Sequence, residues 1–167
     1  MTRDDNKLNT TEVSITPEPE MEEKVVSIDR ISRTTGGGRR IRFRALVIVG
    51  NRFDKVGLGM AKANDVQTAI AKAVAQAKKT MITVPLSEET IPHIVTNTYG
   101  TSTVLLKPAP KGHSIIAGGA VRPVLELAGI KNIVSKTIGS SNALNSAMAT
   151  YSALKSLKPR AELKGKA

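Results

Sequence analysis

Ten consecutive residues in the first half of the chain alternate strictly between two kinds of position, and this pattern restricts the fold more than any other feature. Successive side chains of a β-strand point to opposite faces, so such alternation predicts a strand with two different faces. Over residues 40–49, one face is expected to carry Ile41, Phe43, Ala45, Val47 and Val49. The other face is expected to carry Arg40, Arg42, Arg44, Leu46 and Ile48. The fold must therefore contain a sheet that includes this strand.

The neighbouring segments predict that this strand belongs to a βββα domain, residues 24–84. Residues 24–33 are rich in β-branched residues and predict a strand that stops at a glycine run. Residues 50–54 are expected to close a hairpin into a third strand, residues 55–61, whose two glycines, Gly57 and Gly59, favour a bulge or a close backbone approach. Asn64 or Asp65 is expected to cap a helix whose apolar residues recur every three or four positions: Val66, Ala69, Ile70, Ala73, Val74 and Ala77.

A polar stretch bracketed by prolines, residues 85–92, is typical of a linker between two modules. Beyond it the pattern predicts a ββαβα domain, residues 93–158. Its expected strands lie at residues 91–98, 101–108 and 130–138, and its expected helices at residues 120–128 and after the capping residues Ser140, Ser141 and Asn142. The fold class is therefore α+β, with two small modules.

Charge divides the chain into unlike parts. The whole chain has 25 Lys and Arg against 14 Asp and Glu, a formal net charge of +11, which points to a polyanionic partner. Residues 1–23 nevertheless hold seven acidic and two basic residues. We expect this acidic tail to be disordered, either as a shield of the basic body before RNA binds or, as the favoured interpretation, as a solvated extension. Residues 159–167 are expected to form a basic tail that docks on phosphates.

Several classes of function are excluded by what the chain lacks. With no cysteine, it has no disulfide, thiolate nucleophile or cysteine-based metal site. Residues 1–9 do not resemble a signal peptide, and the longest apolar run, residues 45–49, is far shorter than the roughly 20 residues of a membrane helix. We therefore expect a soluble cytoplasmic protein with no membrane partner. His93, His113 and the acidic residues have no triad or metal-ligand spacing, so no catalytic residue, metal, cofactor or small-molecule substrate is predicted.

The basic face of the predicted strand is the main candidate for a binding site. Residues at alternate positions of a strand stand about 6.6 to 6.8 Å apart, which is comparable to the spacing of successive phosphates in a nucleic acid. Arg39, Arg40, Arg42 and Arg44 follow three flexible glycines, and like charges on one face repel unless a polyanion is present. The alternative interpretation, a solvated strand face without a ligand, is less favoured.

Glycines near a predicted helix start suggest a second, weaker anion site. Gly118 and Gly119 would lie where free N–H groups and the helix dipole favour an anion, with Arg122 one turn later. A purely structural turn explains the same residues equally well, so both interpretations stay open.

Two other glycine motifs bear on a possible enzyme. Residues 57–62 partly match a dinucleotide-binding fingerprint, but Lys62 stands where the third glycine belongs, and we reject this interpretation. Residues 138–143 resemble the phosphate loop of the small-molecule kinases that act on homoserine, mevalonate and galactose. This is the basis of an enzyme alternative, although a serine-rich helix cap explains the same residues better. Besides a structural RNA-binding protein and a kinase, a third possible function is that of a freestanding chaperone of double-stranded RNA.

Several stretches in a fixed order resemble one known family. They are RISRTTGGGRR at residues 30–40, ALVIVG at 45–50, KVGLGMAK at 55–62, a segment at 108–122 that includes IIAGGA, and IGSSN at 138–142. Their order over residues 22–158 is similar to that of the S-five family of bacterial small-subunit ribosomal proteins. The resemblance implies a first module related to the double-stranded-RNA-binding domain and a second module with the fold of the kinases just mentioned, without kinase activity. The acidic residues 1–21 exceed the family core, so no function is carried over to them.

The resemblance also implies partners. Members of this family bind small-subunit rRNA and pack against the S-four and S-eight proteins. With S-three and S-four they line the channel through which mRNA enters, and their contact with S-four influences decoding accuracy. The residues that match the family's glycine-rich loop, residues 32–40, would reach toward the subunit head near the site of the antibiotic spectinomycin.

We therefore expect a structural RNA-binding protein of the small ribosomal subunit that is not an enzyme. Because aromatic residues are scarce, it should recognise the shape and backbone of RNA with little direct reading of base sequence. The residues predicted to bind RNA are Arg30, Arg33, Thr34, Thr35, Gly36, Gly37, Gly38, Arg39, Arg40, Arg42, Arg44, Arg52, Lys55, Lys62, Lys111 and Arg122.

Overall fold

A computed structural model of the protein describes residues 21–159. The first half contains one helix and four strands: β1 (Glu22–Thr35), β2 (Gly38–Gly50), β3 (Lys55–Ala63), α1 (Val66–Lys79) and β4 (Ile82–Thr83). The strands form an antiparallel sheet in the order β1-β2-β3-β4. The three strands and the helix predicted for this half are present, and β4 is an addition to them.

The second half contains a mixed sheet and two helices. Its elements are β5 (Val95–Tyr99), β6 (Ser102–Pro108), β7 (Ile115–Ile116), α2 (Val121–Leu127), β8 (Ile133–Gly139) and α3 (Ala143–Lys155). The sheet order is β5-β6-β8-β7, in which only β7 and β8 are parallel. The α+β class with two modules is therefore confirmed. The predicted ββαβα order omits β7, because a strand of two residues is too short to show alternation.

Two predicted strands of the second module begin later than expected. Ile91 belongs to the buried core, with an exposure of 1 %, and β5 starts only at Val95. The backbone N–H groups of Lys131 and Asn132 both donate to the carbonyl of Glu89, at 3.0 and 3.2 Å. These two residues therefore bind the loop before β5 instead of extending β8, which starts at Ile133.

The two faces predicted for β2 are confirmed by the packing. Ala45, Val47 and Val49 are fully buried in a cluster with Ala69, Ala73 and other residues of α1. Leu46 and Ile48 are equally buried but belong to a second cluster, which includes residues of α2, α3 and β6. The first sheet is therefore covered by α1 on one side and by the second module on the other.

The two modules share one apolar core, because residues of β2 and β3 pack in the same cluster as residues of the second module. The stretch proposed as a linker, residues 85–92, is held in place by this arrangement, since the Thr90 hydroxyl donates to the Asn132 carbonyl at 2.6 Å. The Tyr151 hydroxyl of α3 donates to the carbonyl of Thr80, beside α1, at 2.5 Å. Burial raises the pKa of Tyr151 above its ordinary value. The boundary at residues 85–92 thus separates two segments of chain and not two independent cores.

Glu22 and Glu23, which belong to the predicted acidic tail of residues 1–23, lie in a strand. β1 begins at Glu22, where the carboxylate pairs with Arg52 at 2.7 Å, and Glu23 pairs with Lys78 at 3.1 Å. These two ion pairs stabilise the position of Glu22 and Glu23 at the start of β1. The rest of the acidic tail, residues 1–20, and the basic tail from residue 160 onward lie outside the described residues. No helix within residues 21–159 is long and apolar enough to cross a membrane.

Candidate nucleic-acid interface

The β1-β2 hairpin extends well beyond the sheet that supports it. β3 pairs with β2 only from Phe43 to Gly50, so residues 30–42 form a two-stranded ribbon, which we call the arm. Gly36 and Gly37 make the turn, and Gly38 adopts a φ of 135°, a conformation that favours glycine. The Thr35 hydroxyl donates to the Gly38 carbonyl at 3.0 Å and fixes the turn. The predicted glycine loop is therefore the tip of a long, ordered hairpin.

The register of the arm decides which arginines share a face. Residues directly opposite each other in an antiparallel pair point to the same side. Arg33 lies opposite Arg40, and Arg42 follows two residues later on that side, which we call the first face. Arg39 lies opposite Thr34 and Arg30 opposite Phe43, and these two arginines occupy the second face. The structure thus brings together five of the predicted RNA-binding arginines but divides them between two faces.

Within residues 21–159, no acidic side chain pairs with these arginines. All five side chains are exposed, and none takes part in an ion pair among the described residues. Like charges directly opposite each other destabilise a hairpin, so the pairing of Arg33 with Arg40 is unfavourable without an anion. An external polyanion would remove this repulsion.

Arg44 differs from the arginines of the arm because it has a partner. Its Nη2 and Nε donate to one oxygen of Asp29, the residue opposite, at 2.7 and 3.1 Å. Its side chain is 31 % exposed, and Lys62 lies on its other side in the register of β3. The structure therefore separates Arg44 from the five arginines of the arm, because Arg44 has an ion-pair partner and they have none within residues 21–159.

Two basic clefts lie where the arm meets the body of the protein, and Arg42 and Lys62 line both of them. A cleft of about 500 Å³ is lined by Ile31, Arg33, Arg40, Arg42 and Lys62, among other residues. A second cleft, of about 290 Å³ near the start of α1, shares Arg42 and Lys62 with the first and adds Lys72. Lys72 is absent from the predicted site residues. Two features of the sequence could have predicted Lys72: the helical spacing of the charged residues of α1 and the position of Lys62 shortly before the helix.

The remaining predicted side chains lie far from the arm. Arg52 and Lys55 are at the other end of β2, which at about 3.3 Å per residue is roughly 40 Å from the turn. Arg52, Arg122 and Lys131 border a groove of about 390 Å³ there, and the Arg122 guanidinium donates to the carbonyl of Ile115 at 2.9 Å. The predicted residues therefore form two basic surfaces and not one.

Lys111 lines neither of these two basic surfaces. The hydrogen bond from Lys131 to Glu89, 2.6 Å long, and the charge of Lys131 hold the pKa of Glu89 below its usual value, and the charge of Lys111 adds to this effect. Lys111 takes part in no ion pair within residues 21–159.

The kinase-like segment has the structural role that the sequence favoured. Asn142 caps α3, and its side chain accepts the backbone N–H of Leu144 at 3.0 Å. Gly139 has a φ of 86°, and an added Cβ would lie 2.4 Å from the Thr101 carbonyl oxygen. The helix-cap interpretation of residues 138–143 is confirmed.

The Gly118 and Gly119 region shows a turn that serves the start of α2. The Gly118 carbonyl accepts the N–H groups of Val121 and Arg122 at 3.1 and 2.9 Å.

Within residues 21–159, no group of three or more His, Asp and Glu side chains could hold a metal ion.

These features define a class of protein: a two-module α+β protein whose most distinctive site is an exposed basic ribbon, without acidic partners in residues 21–159 and suited to a polyanion. A family model described as "Ribosomal protein S5, N-terminal domain" matches residues 21–85, and one described as "Ribosomal protein S5, C-terminal domain" matches residues 97–166. The chain belongs to the ribosomal protein S5 family.

Three similar proteins agree with this assignment. The small ribosomal subunit protein uS5 of Thermotoga neapolitana is 55 % identical over 138 residues, which is 83 % of this chain and 78 % of that protein. The protein of the same name from Thermotoga maritima is 52 % identical over 138 residues, with the same coverage. The small ribosomal subunit protein uS5c of Phaeodactylum tricornutum is 43 % identical over 158 residues, 94 % of this chain and 90 % of that protein. The predicted family is confirmed, and with it the prediction of a structural small-subunit ribosomal protein that is not an enzyme.

Proposed function

We propose that this protein binds small-subunit rRNA mainly through the phosphate backbone, with the arm and the two basic clefts as the principal contact surface. The register that places Arg33 opposite Arg40 carries this proposal, because it is unfavourable unless an anion lies over both guanidinium groups. Arginine is well suited to such contacts, since its planar guanidinium can donate two hydrogen bonds to one phosphate. The hydroxyl of Thr34 and the open backbone of the glycine turn add neutral donors at the tip, and the Thr35 hydroxyl, which donates to Gly38, can still accept a hydrogen bond.

The division of the basic residues suggests different roles for the two surfaces. Arg30, Arg33, Arg39, Arg40, Arg42 and Lys62 would bind phosphates at the arm. Lys111 would contact RNA outside both surfaces. Arg52, Lys55 and Arg122 would contact RNA at the opposite end of the molecule, where Arg52 is paired with Glu22 and Arg122 donates to the carbonyl of Ile115. We expect this second surface to bind RNA more weakly.

Finer aspects of the function follow from the family resemblance and are part of the proposal. We propose that the protein acts in the cytoplasm, helps to form the channel through which mRNA enters together with the S-three and S-four proteins, and packs against the S-four and S-eight proteins. A contribution to decoding accuracy would pass through the contact with S-four. The arm is the element long enough to reach from the body of the protein toward a distant part of the subunit.

Co-sedimentation with small-subunit particles tests the proposal as a whole. The full chain, added to small subunits that lack this protein, is expected to sediment with them and to remain bound through a sucrose gradient. Its affinity for naked small-subunit rRNA should fall steeply as salt rises, because phosphate contacts release counterions. Sedimentation with free double-stranded RNA but not with the particles would instead favour a freestanding RNA chaperone, and an affinity independent of salt would contradict backbone recognition.

The ion pair of Arg44 with Asp29 allows a gain-of-binding prediction. The change Asp29→Asn frees the Arg44 guanidinium at the base of the first face. If Arg44 then contacts a phosphate, the slope of log affinity against log salt should steepen by about 0.9, and affinity near 0.1 M salt should rise by about eightfold. The matched control is Glu23→Gln, which frees Lys78 at the end of β1 away from the arm and outside both basic surfaces, and should change neither quantity. Filter binding over a salt series measures both, and an unchanged slope in Asp29→Asn would show that RNA does not reach Arg44.

A further inference from the structure

Gly118 and Gly119 are not explained by the fold around them. Neither has a φ in the left-handed region that favours glycine. An added Cβ at Gly118 would lie 3.9 Å from its nearest neighbour, the Thr137 hydroxyl oxygen, and one at Gly119 would have no neighbour within 4 Å. Gly139, by contrast, has a positive φ and lies against the Thr101 carbonyl. The space beside Gly118 and Gly119 is therefore open to a ligand.

These two glycines border a cleft of about 530 Å³ between β1, β8 and the starts of α2 and α3. Three residues with hydroxyl groups line it at increasing depth: Ser141 is exposed, Thr137 is half-buried and Ser146 is only 4 % exposed. Within residues 21–159, no acidic, basic or histidine side chain lines the cleft. The cleft is therefore polar but uncharged.

The Ser146 hydroxyl is the clearest sign that this cleft holds a ligand. Hydroxyls of buried residues normally have a hydrogen-bond partner. Within residues 21–159, Ser146 bonds through its backbone instead: its N–H donates to the Asn142 carbonyl at 2.9 Å, and its carbonyl accepts from the Thr150 hydroxyl at 2.8 Å. The one fully enclosed side-chain atom without a partner in this range is Nδ1 of His93, so the Ser146 hydroxyl is open to the cleft.

The first turn of α3 adds a second, independent donor to the same cleft. The Asn142 side chain caps only the N–H of Leu144. The N–H of Ala143, which lines the cleft, has no partner within residues 21–159. Unpaired N–H groups and the positive end of the dipole of a helix of 13 residues favour an anion. The donors of the cleft are therefore matched to an anion that accepts several hydrogen bonds.

From these observations we infer that the cleft binds a terminal phosphate, either of a free nucleotide or of the end of an RNA strand. A phosphate has enough oxygens to accept hydrogen bonds from Thr137, Ala143 and Ser146 at once. A terminal phosphate carries one ribose and can enter as deep as Ser146. A phosphodiester within a strand carries a ribose on both sides and stays at the mouth.

This site goes beyond the proposed function, which places internal phosphates on the arm. Because no histidine, acidic or basic side chain within residues 21–159 lines the cleft, a proton donor or acceptor for catalysis is lacking there, and the phosphate is held and not transferred. The site is therefore compatible with a protein that is not an enzyme.

Nuclear magnetic resonance of the full chain tests the inference with small probes. Adenosine 5′-monophosphate is expected to shift the amide signals of Ala143 and Ser146 in a saturable way, and adenosine is not. The variants Ser146→Ala and Gly119→Val should each weaken this binding by about tenfold or more, because the first removes a hydrogen bond to a charged group and the second fills the cleft. The control Ser152→Ala removes a hydroxyl from the same helix outside the cleft and should leave the affinity unchanged.

A pair of short RNA strands distinguishes the two sources of the phosphate. The strands have the same sequence and end in either a 5′-phosphate or a 5′-hydroxyl. Tighter binding of the 5′-phosphate strand than of the nucleotide would identify an RNA end as the ligand, and equal or weaker binding would identify a free nucleotide; both results support the site.

Three outcomes would overturn the inference. The 5′-hydroxyl strand could shift the signals of Ala143 and Ser146 as strongly as the 5′-phosphate strand, which would mean that internal phosphates fill the cleft. The nucleotide could bind Ser146→Ala as tightly as the wild type, or it could shift only signals of the arm. Thermal melts verify that each variant is folded. None of these outcomes affects the salt-dependent binding of rRNA, so the proposed function stands or falls separately.

Discussion

Changing both Arg40 and Arg42 to glutamine should weaken binding to small-subunit rRNA by about 60-fold near 0.1 M salt. The slope of log affinity against log salt should become shallower by about 1.8. Each phosphate contact contributes about 0.9 to the slope of log affinity against log salt. Relative to about 1 M salt, where the electrostatic contribution vanishes, one contact is therefore worth about eightfold at 0.1 M. Both arginines line the larger cleft and neither has an acidic partner among the described residues, so their charges are available to RNA. Filter binding over a salt series measures both quantities.

A charge-matched control separates a local contact from the effect of net charge. Lys107 and Lys136 are exposed on β6 and β8 of the second module, away from the arm. Changing both to glutamine removes the same two charges, yet it should leave the salt slope unchanged and lower affinity only slightly. Equal losses in the two double variants would show that RNA senses only the total charge. Because backbone contacts carry no sequence information, the Arg40→Gln/Arg42→Gln loss should also be similar for different RNA helices.

Local patterns were sufficient to predict most of the first module. The alternation at residues 40–49 predicts β2 and its two faces because each position contributes to one face only, and the helical spacing after Asp65 predicts α1 because α1 packs on the sheet through one side. The regular spacing that makes these two elements recognisable in the sequence also places their apolar side chains on one side, where they are buried. Where burial is complete on both sides, as for Leu46 and Ile48, the pattern shows that they are inside but not which module covers them.

The sequence could not predict how the arm is organised. The alternation of β2 alone separates Arg39 from Arg40 and Arg42. The faces that Arg30 and Arg33 join depend on the pairing of β1 with β2, and Val25 and Ser27 flank an irregularity that shifts that pairing by one residue. Such a shift moves every later side chain of β1 to the other face. For the same reason, the ion pair of Arg44 with Asp29 was not predictable: the two residues are 15 positions apart, and their contact requires the correct register.

Changing Gly59 to alanine should destabilise the protein by about 3 kcal/mol or more, a large fraction of the 5–15 kcal/mol typical of a native protein. The backbone of β3 lies directly against α1 at this position. An added Cβ would stand 2.0 Å from the carbonyl oxygen of Ala73 and 2.7 Å from the backbone nitrogen of Ala77. Neither atom can move without displacing the helix, which is itself packed on β2. For a protein of this size the expected loss in Tm is about 6–12 °C.

The turn of the arm supplies the matched control for this prediction. Gly37 has no atom within 4 Å of an added Cβ, and its φ lies outside the left-handed region. Gly37→Ala should therefore change the free energy of unfolding by less than about 0.5 kcal/mol, although both variants add the same single methyl group. Urea unfolding of the two variants gives the comparison directly. A small effect at Gly59 would mean that α1 can move away from the sheet easily. The second cleft would then be adjustable, because Lys72 of α1 and Lys62 of β3 line it together and their separation depends on this same close contact.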